Sequence, residues 1–270
     1  MAFFRKIFAF IKKDFLIWKG YKLSFILEWL GILTSIFTLY FITKLFGKGA
    51  SPYLIEYGGQ YFPFALLGIA FSSYLTVALG SLSGKIREEQ MMGTLEAMLV
   101  SPTRISTIII SMSMWDFILS SINMFIYLLF GIWLFGVNLN YSNLFTVFVI
   151  LLLTVISFSS IGIIAASFIM VFKRGNPVIW LITTFSVLFG EVFFPASVLP
   201  KKLQVISHLL PITYSLRGLR LSLLQGYSLK VLLPEITVLL IFSVLLLPLG
   251  IFLFKFAVNK AKMDGSLTHY

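Results

Sequence analysis

Residues Lys85–Arg104 read KIREEQMMGTLEAMLVSPTR, with six charges in twenty residues: Lys85, Arg87, Glu88, Glu89, Glu96 and Arg104. Long uncharged runs lie on both sides of this stretch. A polar island between two membrane-length apolar runs has to sit in water. At 100° per residue Met91, Met92, Leu95, Met98 and Leu99 fall on one arc of about 120°, an amphipathic face. Glu89 and Glu96 are seven apart and share an edge of it. Gly93-Thr94 can interrupt the helix and cap it again, since glycine is permissive and threonine is a good N-cap. Ser101-Pro102 ends it, because the residue before a proline avoids the helical region. From the residues alone the stretch is either a helix lying on the membrane surface or a docking ridge for a soluble partner.

Composition fixes the class. Of 270 residues, 59% are hydrophobic and 11% charged, and mean hydropathy is +0.99. Soluble domains carry about 25% charged residues, so the expectation is an all-α integral membrane protein, one transmembrane domain over 1–270. The net charge of +11 falls beside apolar spans. It reads as topology signal and contact with anionic lipid, not as a nucleic-acid surface. There is no cysteine, which excludes disulfides and thiolate chemistry. The N-terminal run MAFFRKIFAFIKKDF has no small-residue cleavage pattern, so no cleavable signal is expected.

Six spans follow in order. Residues 1–22 interleave Phe3, Phe4, Ile7, Phe8, Phe10, Ile11 and Phe15 with six basic residues, the pattern of an interfacial helix. The first span is expected at 23–43, with Glu28 its only charge, near the end where snorkelling or a partner is tolerated. The second, at 61–84, is uncharged and ends in Gly80-x-x-x-Gly84, which permits close helix approach. Ile105–Gly136 is 32 residues long, too long for one perpendicular span; its first third runs at or below the interface, with Asp116 at the transition. Phe117–Phe172 has no charge over 56 residues and fits two spans, with a turn at 136–143. The small residues between Ser157 and Ser167 favour helix packing. A turn at 173–177 leads to a fifth span at 178–194, with Glu191 near its far end. Pro195 and Pro200 then stop a continuous helix. Residues 193–220 are expected to form a re-entrant or interfacial hairpin, and the sixth span, kinked at Pro248, covers 231–254. With the N-terminus inside, cytoplasmic segments hold 14 of the 21 basic residues, which favours both termini cytoplasmic. The five basic residues between Lys201 and Lys230 sit uneasily outside.

Two segments resemble signatures of ABC-2 type transporter permeases, drug- and lipid-export-like members in particular. The first is Glu88-Glu89, Gly93-Thr94-Leu95-Glu96, Leu99, Ser101-Pro102 and Arg104. The second is Phe194-Pro195, Ser197, Leu199-Pro200, Leu203, Pro211, Thr213-Tyr214 and Leu219-Arg220. The resemblance implies that 85–104 carries a cytoplasmic coupling helix. Glu88, Glu89, Gly93, Thr94, Leu95, Glu96, Leu99 and Arg104 would meet an ATP-binding subunit. Phe194, Pro195, Leu199 and Pro200 would shape an outer gate. It also implies a plasma-membrane exporter of two permease copies, identical or homologous, and two ATP-binding subunits that hold ATP and Mg. No cofactor is expected in this chain.

The chemistry of other classes is missing. No G-x-x-x-x-G-K-[ST] loop is present; Gly80–Lys85 comes near one but continues into Ile86. Only His208 and His269 are available as histidines, and no Ser-His or Ser-Lys pair activates a hydroxyl. The competing expectation is a gradient-driven transporter or channel, for which Asp116 and Glu191 are the candidate ionisable groups. The aromatic content of 17% suits an amphipathic, drug-like or lipid-linked substrate.

Overall fold

Uncharged runs have no better way to satisfy their backbone in lipid than by helix formation, and a computed structural model gives them that form. The structure describes residues 2–46, 51–94, 98, 105–172 and 176–263. Within these, the helices are α1 (Ala2–Gly20), α2 (Lys22–Phe46), α3 (Tyr61–Met91), α4 (Ile105–Phe135), α5 (Leu144–Phe172), α6 (Asn176–Phe189), α7 (Lys201–His208), α8 (Pro211–Gln225) and α9 (Leu233–Met263). Short 3-10 turns lie at Ser51–Tyr57 and Ala196–Val198. Five helices are long and apolar enough to cross a membrane: α2, α3, α4, α5 and α9.

The fifth expected span is shorter than the sequence reading made it. α6 has 14 residues, about 21 Å of rise against a hydrocarbon core of roughly 30 Å. The helix stops before Gly190, and Glu191 follows with a left-handed φ of 62°. The chain then folds back through α7 into α8, which is buried along most of its length. The expected hairpin is therefore a short descent, a turn and a buried return.

The spans have two common ends. At one, Leu82 and Ile86 of α3, Met112 of α4, Met170 of α5 and Val258 of α9 form a buried cluster, against which Phe10 of α1 packs. At the other, Tyr57, Phe64, Val192, Leu219 and Leu232 belong to a larger cluster. These are called the α1 end and the α8 end. α4 is one unbroken helix, and its first third lies beside α1, with Trp115 5.8 Å from Trp18 and 5.7 Å from Phe15 between ring centroids. The 136–143 connection is a turn as expected, with Gly136 at φ 65°.

α3 is the most buried of the five spans. α5 reaches it through the small-residue stripe: a Cβ on Gly162 would stand 2.1 Å from the Ala78 carbonyl oxygen. Ser157 binds the Ser243 hydroxyl of α9 at 2.9 Å. Gly80 and Gly84, by contrast, meet nothing within 4 Å, so that pattern is not used by a neighbour among the described residues. Gly162→Ala should cost about 1–3 kcal/mol by overpacking and lower the unfolding temperature in nanodiscs. Gly31→Ala, which faces open space, should not lower it; equal effects would contradict the close α3–α5 contact.

Candidate functional site

The charged stretch begins as helix. α3 continues past the apolar span through Lys85, Glu88 and Glu89 to Met91. The break falls at Gly93, with φ 69°, where the Gly93-Thr94 pair was expected to interrupt the helix. Thr94 N–H donates to the Glu89 carbonyl at 3.0 Å, the six-to-one bond of a glycine-terminated helix. The Thr94 carbonyl accepts from Met98 N–H at 3.1 Å, so Thr94 opens the next turn, as its type predicts. Leu95, Glu96, Leu99 and Arg104 lie outside the described residues.

Glu88 and Glu89 divide the work. Successive helical residues differ by 100°, and here one carboxylate is exposed and the other buried. Glu89 Oε1 accepts from Lys13 Nζ of α1 at 2.6 Å, and its Oε2 accepts from the Thr94 hydroxyl. A second pair crosses the other way, Lys85 Nζ to Asp14 Oδ2 at 3.3 Å, with Asp14 also buried. Burial alone would lower the Lys13 pKa, but the Glu89 hydrogen bond and charge more than offset it and hold it raised. Two acids and two bases thus staple α1 to the end of α3. Met91 and Met92 are exposed beside this staple, together with Glu88. Methionine pairs of this kind suit an adaptable protein contact.

The α8 end is held by Arg220, which is fully buried. Its Nε donates to the Phe64 carbonyl at 3.0 Å, Nη1 to the Glu191 carbonyl at 2.7 Å and Nη2 to the Val192 carbonyl at 2.9 Å. The guanidinium lies 3.5 Å from the Phe64 ring centroid, a cation–π contact. The Glu191 side chain accepts from Ala196 N–H at 3.0 Å and from the Tyr57 hydroxyl at 3.4 Å. Gly68 makes room, because a Cβ there would be 2.0 Å from the Val192 oxygen.

This clamp fixes the proline element. Pro195 is buried and starts the Ala196–Val198 turn, while Pro200 is exposed and starts α7. Phe194 and Leu199 are half-buried, and the Leu199 carbonyl accepts from Gln204 Nε2 at 2.8 Å. Two of the basic residues that looked misplaced are accounted for internally: Arg220 in the clamp, and Arg217 paired with Glu56 at 2.7 Å and Glu235 at 3.5 Å. Sequence reasoning quoted Arg220 only as the end of a pattern and Lys13 only as one of six basic residues of an interfacial helix, and missed Asp14, Tyr57 and Gly68 altogether. The available signal was Arg220 flanked by Leu219 and Leu221, on the apolar side of its helix.

The ABC-2 type transporter family matches residues 5–224, which takes in the staple, the clamp and nearly all of α8. The chain belongs to the ABC-2 type transporter family. It is the multi-pass membrane permease of an ABC transporter, and membership implies partnership with an ATP-binding subunit. No curated protein matches the permease. Lys13→Met should leave Glu89 buried without its cation and destabilise the permease by about 1–3 kcal/mol, discounted from the fully buried case because Lys13 is half exposed. The swap Lys13→Glu with Glu89→Lys should recover part of that loss in thermal unfolding. A swap no better than the single variant would sink the staple.

Proposed function

We propose that this permease is the transmembrane half of an ATP-driven exporter, coupled through the end of α3 to a separate ATP-binding subunit. The observation that carries this reading is the arrangement at that end: Glu88, Met91 and Met92 exposed on a helix whose other side is fastened by Glu89. The same surface belongs to the stretch that resembles the family's coupling signature. Glu88 and the methionines meet the partner, while Glu89, Gly93 and Thr94 position them. Leu95, Glu96, Leu99 and Arg104 complete the contact. Two permeases, identical or homologous, work with two ATP-binding subunits, which hold the ATP and Mg. Each permease acts as one transmembrane domain.

The mechanism follows from α3 being continuous. A helix of 31 residues is about 46 Å of hydrogen-bonded rod. One end carries the docking ridge. The other supplies the Phe64 carbonyl to Arg220 and the Gly68 notch to Val192. Movement imposed by ATP binding at Met91 therefore reaches the Glu191–Pro200 element through a single helix. Phe194, Pro195, Leu199 and Pro200 form the gate that responds. The substrate is amphipathic, drug-like or lipid-linked. The permease sits in the plasma membrane with both termini cytoplasmic, supported by the basic residues gathered at the α1 end and by the internal pairing of Arg217 and Arg220.

A gradient-driven mechanism would need a mobile carboxylate. Glu191 is bonded into the turn by Ala196 and Tyr57, and Asp116 accepts from Ser81 at 2.5 Å, which makes both poor carriers. The test is co-purification with a co-expressed ABC ATP-binding subunit, reconstituted in nanodiscs. Glu88→Lys with Met92→Asp should cut the recovered ATP-binding subunit about tenfold or more, as loss of central interface residues does, with unfolding temperature unchanged. Undiminished assembly and transport-linked ATP turnover would overturn the docking assignment.

A further inference from the structure

α2 carries one acidic residue inside its span, Glu28, and its register decides what it faces. At 100° per residue Glu28, Ile32, Ser35, Ile36 and Leu39 share an arc of about 100°. Ile32, Ile36 and Leu39 are buried against the bundle. Glu28 is on that inward arc and is nevertheless exposed. Ser35, on the same edge of the arc, is exposed as well, so this edge of α2 is open and forms one wall of a wedge beside α4. Asn123 of α4 reaches across and donates from Nδ2 to Glu28 Oε1 at 2.6 Å. No ion pair among the described residues includes Glu28, whereas Asp14, Glu56, Glu89 and Glu235 each have a cation.

Aromatic rings border the wedge. A chain of them runs from Trp115 to Trp18 at 5.8 Å, from Trp18 to Phe25 at 4.8 Å and from Phe25 to Trp29 at 4.1 Å. Phe25 is one turn below Glu28, and Trp29 is its neighbour. A carboxylate within an apolar span with only an amide partner lacks positive charge. Metal ions such as calcium or magnesium need several oxygens, and the wedge offers few. Ring faces attract cations and bury apolar groups at once. We propose that the wedge between α2 and α4 binds amphipathic organic cations: Glu28 takes an ammonium, guanidinium or phosphonium group, Asn123 orients the carboxylate, and Phe25 and Trp29 receive the apolar body. As a substrate subsite this rests on the export reading; as a cation site it stands alone.

The test uses the full-length permease in phosphatidylglycerol nanodiscs, without any ATP-binding subunit. Equilibrium binding of labelled tetraphenylphosphonium is compared with that of tetraphenylborate, matched in size and opposite in charge, after subtraction of empty nanodiscs. The wild-type chain should bind the cation saturably and the anion far less. Glu28→Gln keeps an acceptor for Asn123 and removes the charge, so affinity should fall about tenfold or more with unfolding temperature unchanged. Trp29→Ala should weaken binding severalfold. Equal cation binding by wild type and Glu28→Gln, or equal binding of cation and anion, overturns the site. Repeating the assay at one fixed anionic content, with the other half of the lipid either uncharged digalactosyldiacylglycerol or phosphatidylcholine, separates the sources of the cation, because surface potential is matched and only phosphatidylcholine brings an ammonium. Weakened binding there supports the site with a lipid ammonium as its occupant, and unchanged binding supports it with a soluble cation. Because no ATP is present, loss of binding leaves the export reading intact, and failed ATP-driven transport with binding retained does the reverse.

Discussion

Backbone carbonyls inside a membrane must be satisfied, and Arg220 satisfies three of them at the point where α6 ends early. Without it the Glu191 and Val192 carbonyls would lose their bonds in a buried turn, each at a cost of about 1–3 kcal/mol. The third bond, to Phe64, ties that turn to α3. Arginine alone has a planar fork with enough donors for three acceptors. The left-handed Glu191 and the notch at Gly68 sit against this fork, and the Tyr57 hydroxyl binds the Glu191 carboxylate beside it. The short α6, the proline turn and the buried α8 depend on it in turn.

The α1 end works on different physics. There the residues sit at a water boundary, and the fastening is charge on charge. Two crossed pairs hold an amphipathic helix against the end of a span, and they do so with their acids buried and their bases partly exposed. Lysine stems can lie along apolar surface while the ammonium reaches water. This keeps α1 attached without sinking it. The capped turn at Gly93–Thr94 then presents Glu88, Met91 and Met92 outward. α3 joins the two ends, so the proposed docking surface and the proposed gate share one continuous helix.

Much of this was legible in the sequence, for a physical reason. Membrane spans are read from the absence of charge, and the uncharged runs of this chain are long. The glycine–threonine break after Met92 was legible too, because local backbone chemistry decides it. The length of α6 was not: an apolar run to Phe194 says nothing of where a turn will be clamped from 29 residues away. Nor was the partition of Glu88 from Glu89, since helical geometry places them on different faces but only the position of Lys13 says which face is covered. Arg217 and Arg220 sat uneasily among the outer charges because their partners, Glu56 and the turn carbonyls, are distant in the chain.

The account turns on α3 carrying movement from the docking ridge to the clamped turn. Hydrogen–deuterium exchange of the assembled complex, with and without ATP, tests that most directly through peptides covering 191–200. Nucleotide binding in the partner should change protection of that turn, where Ala196 N–H is held by the Glu191 carboxylate, and the change should vanish when Lys13→Glu unfastens the α1 end. A complex that binds and hydrolyses ATP while exchange across 191–200 stays the same would contradict it.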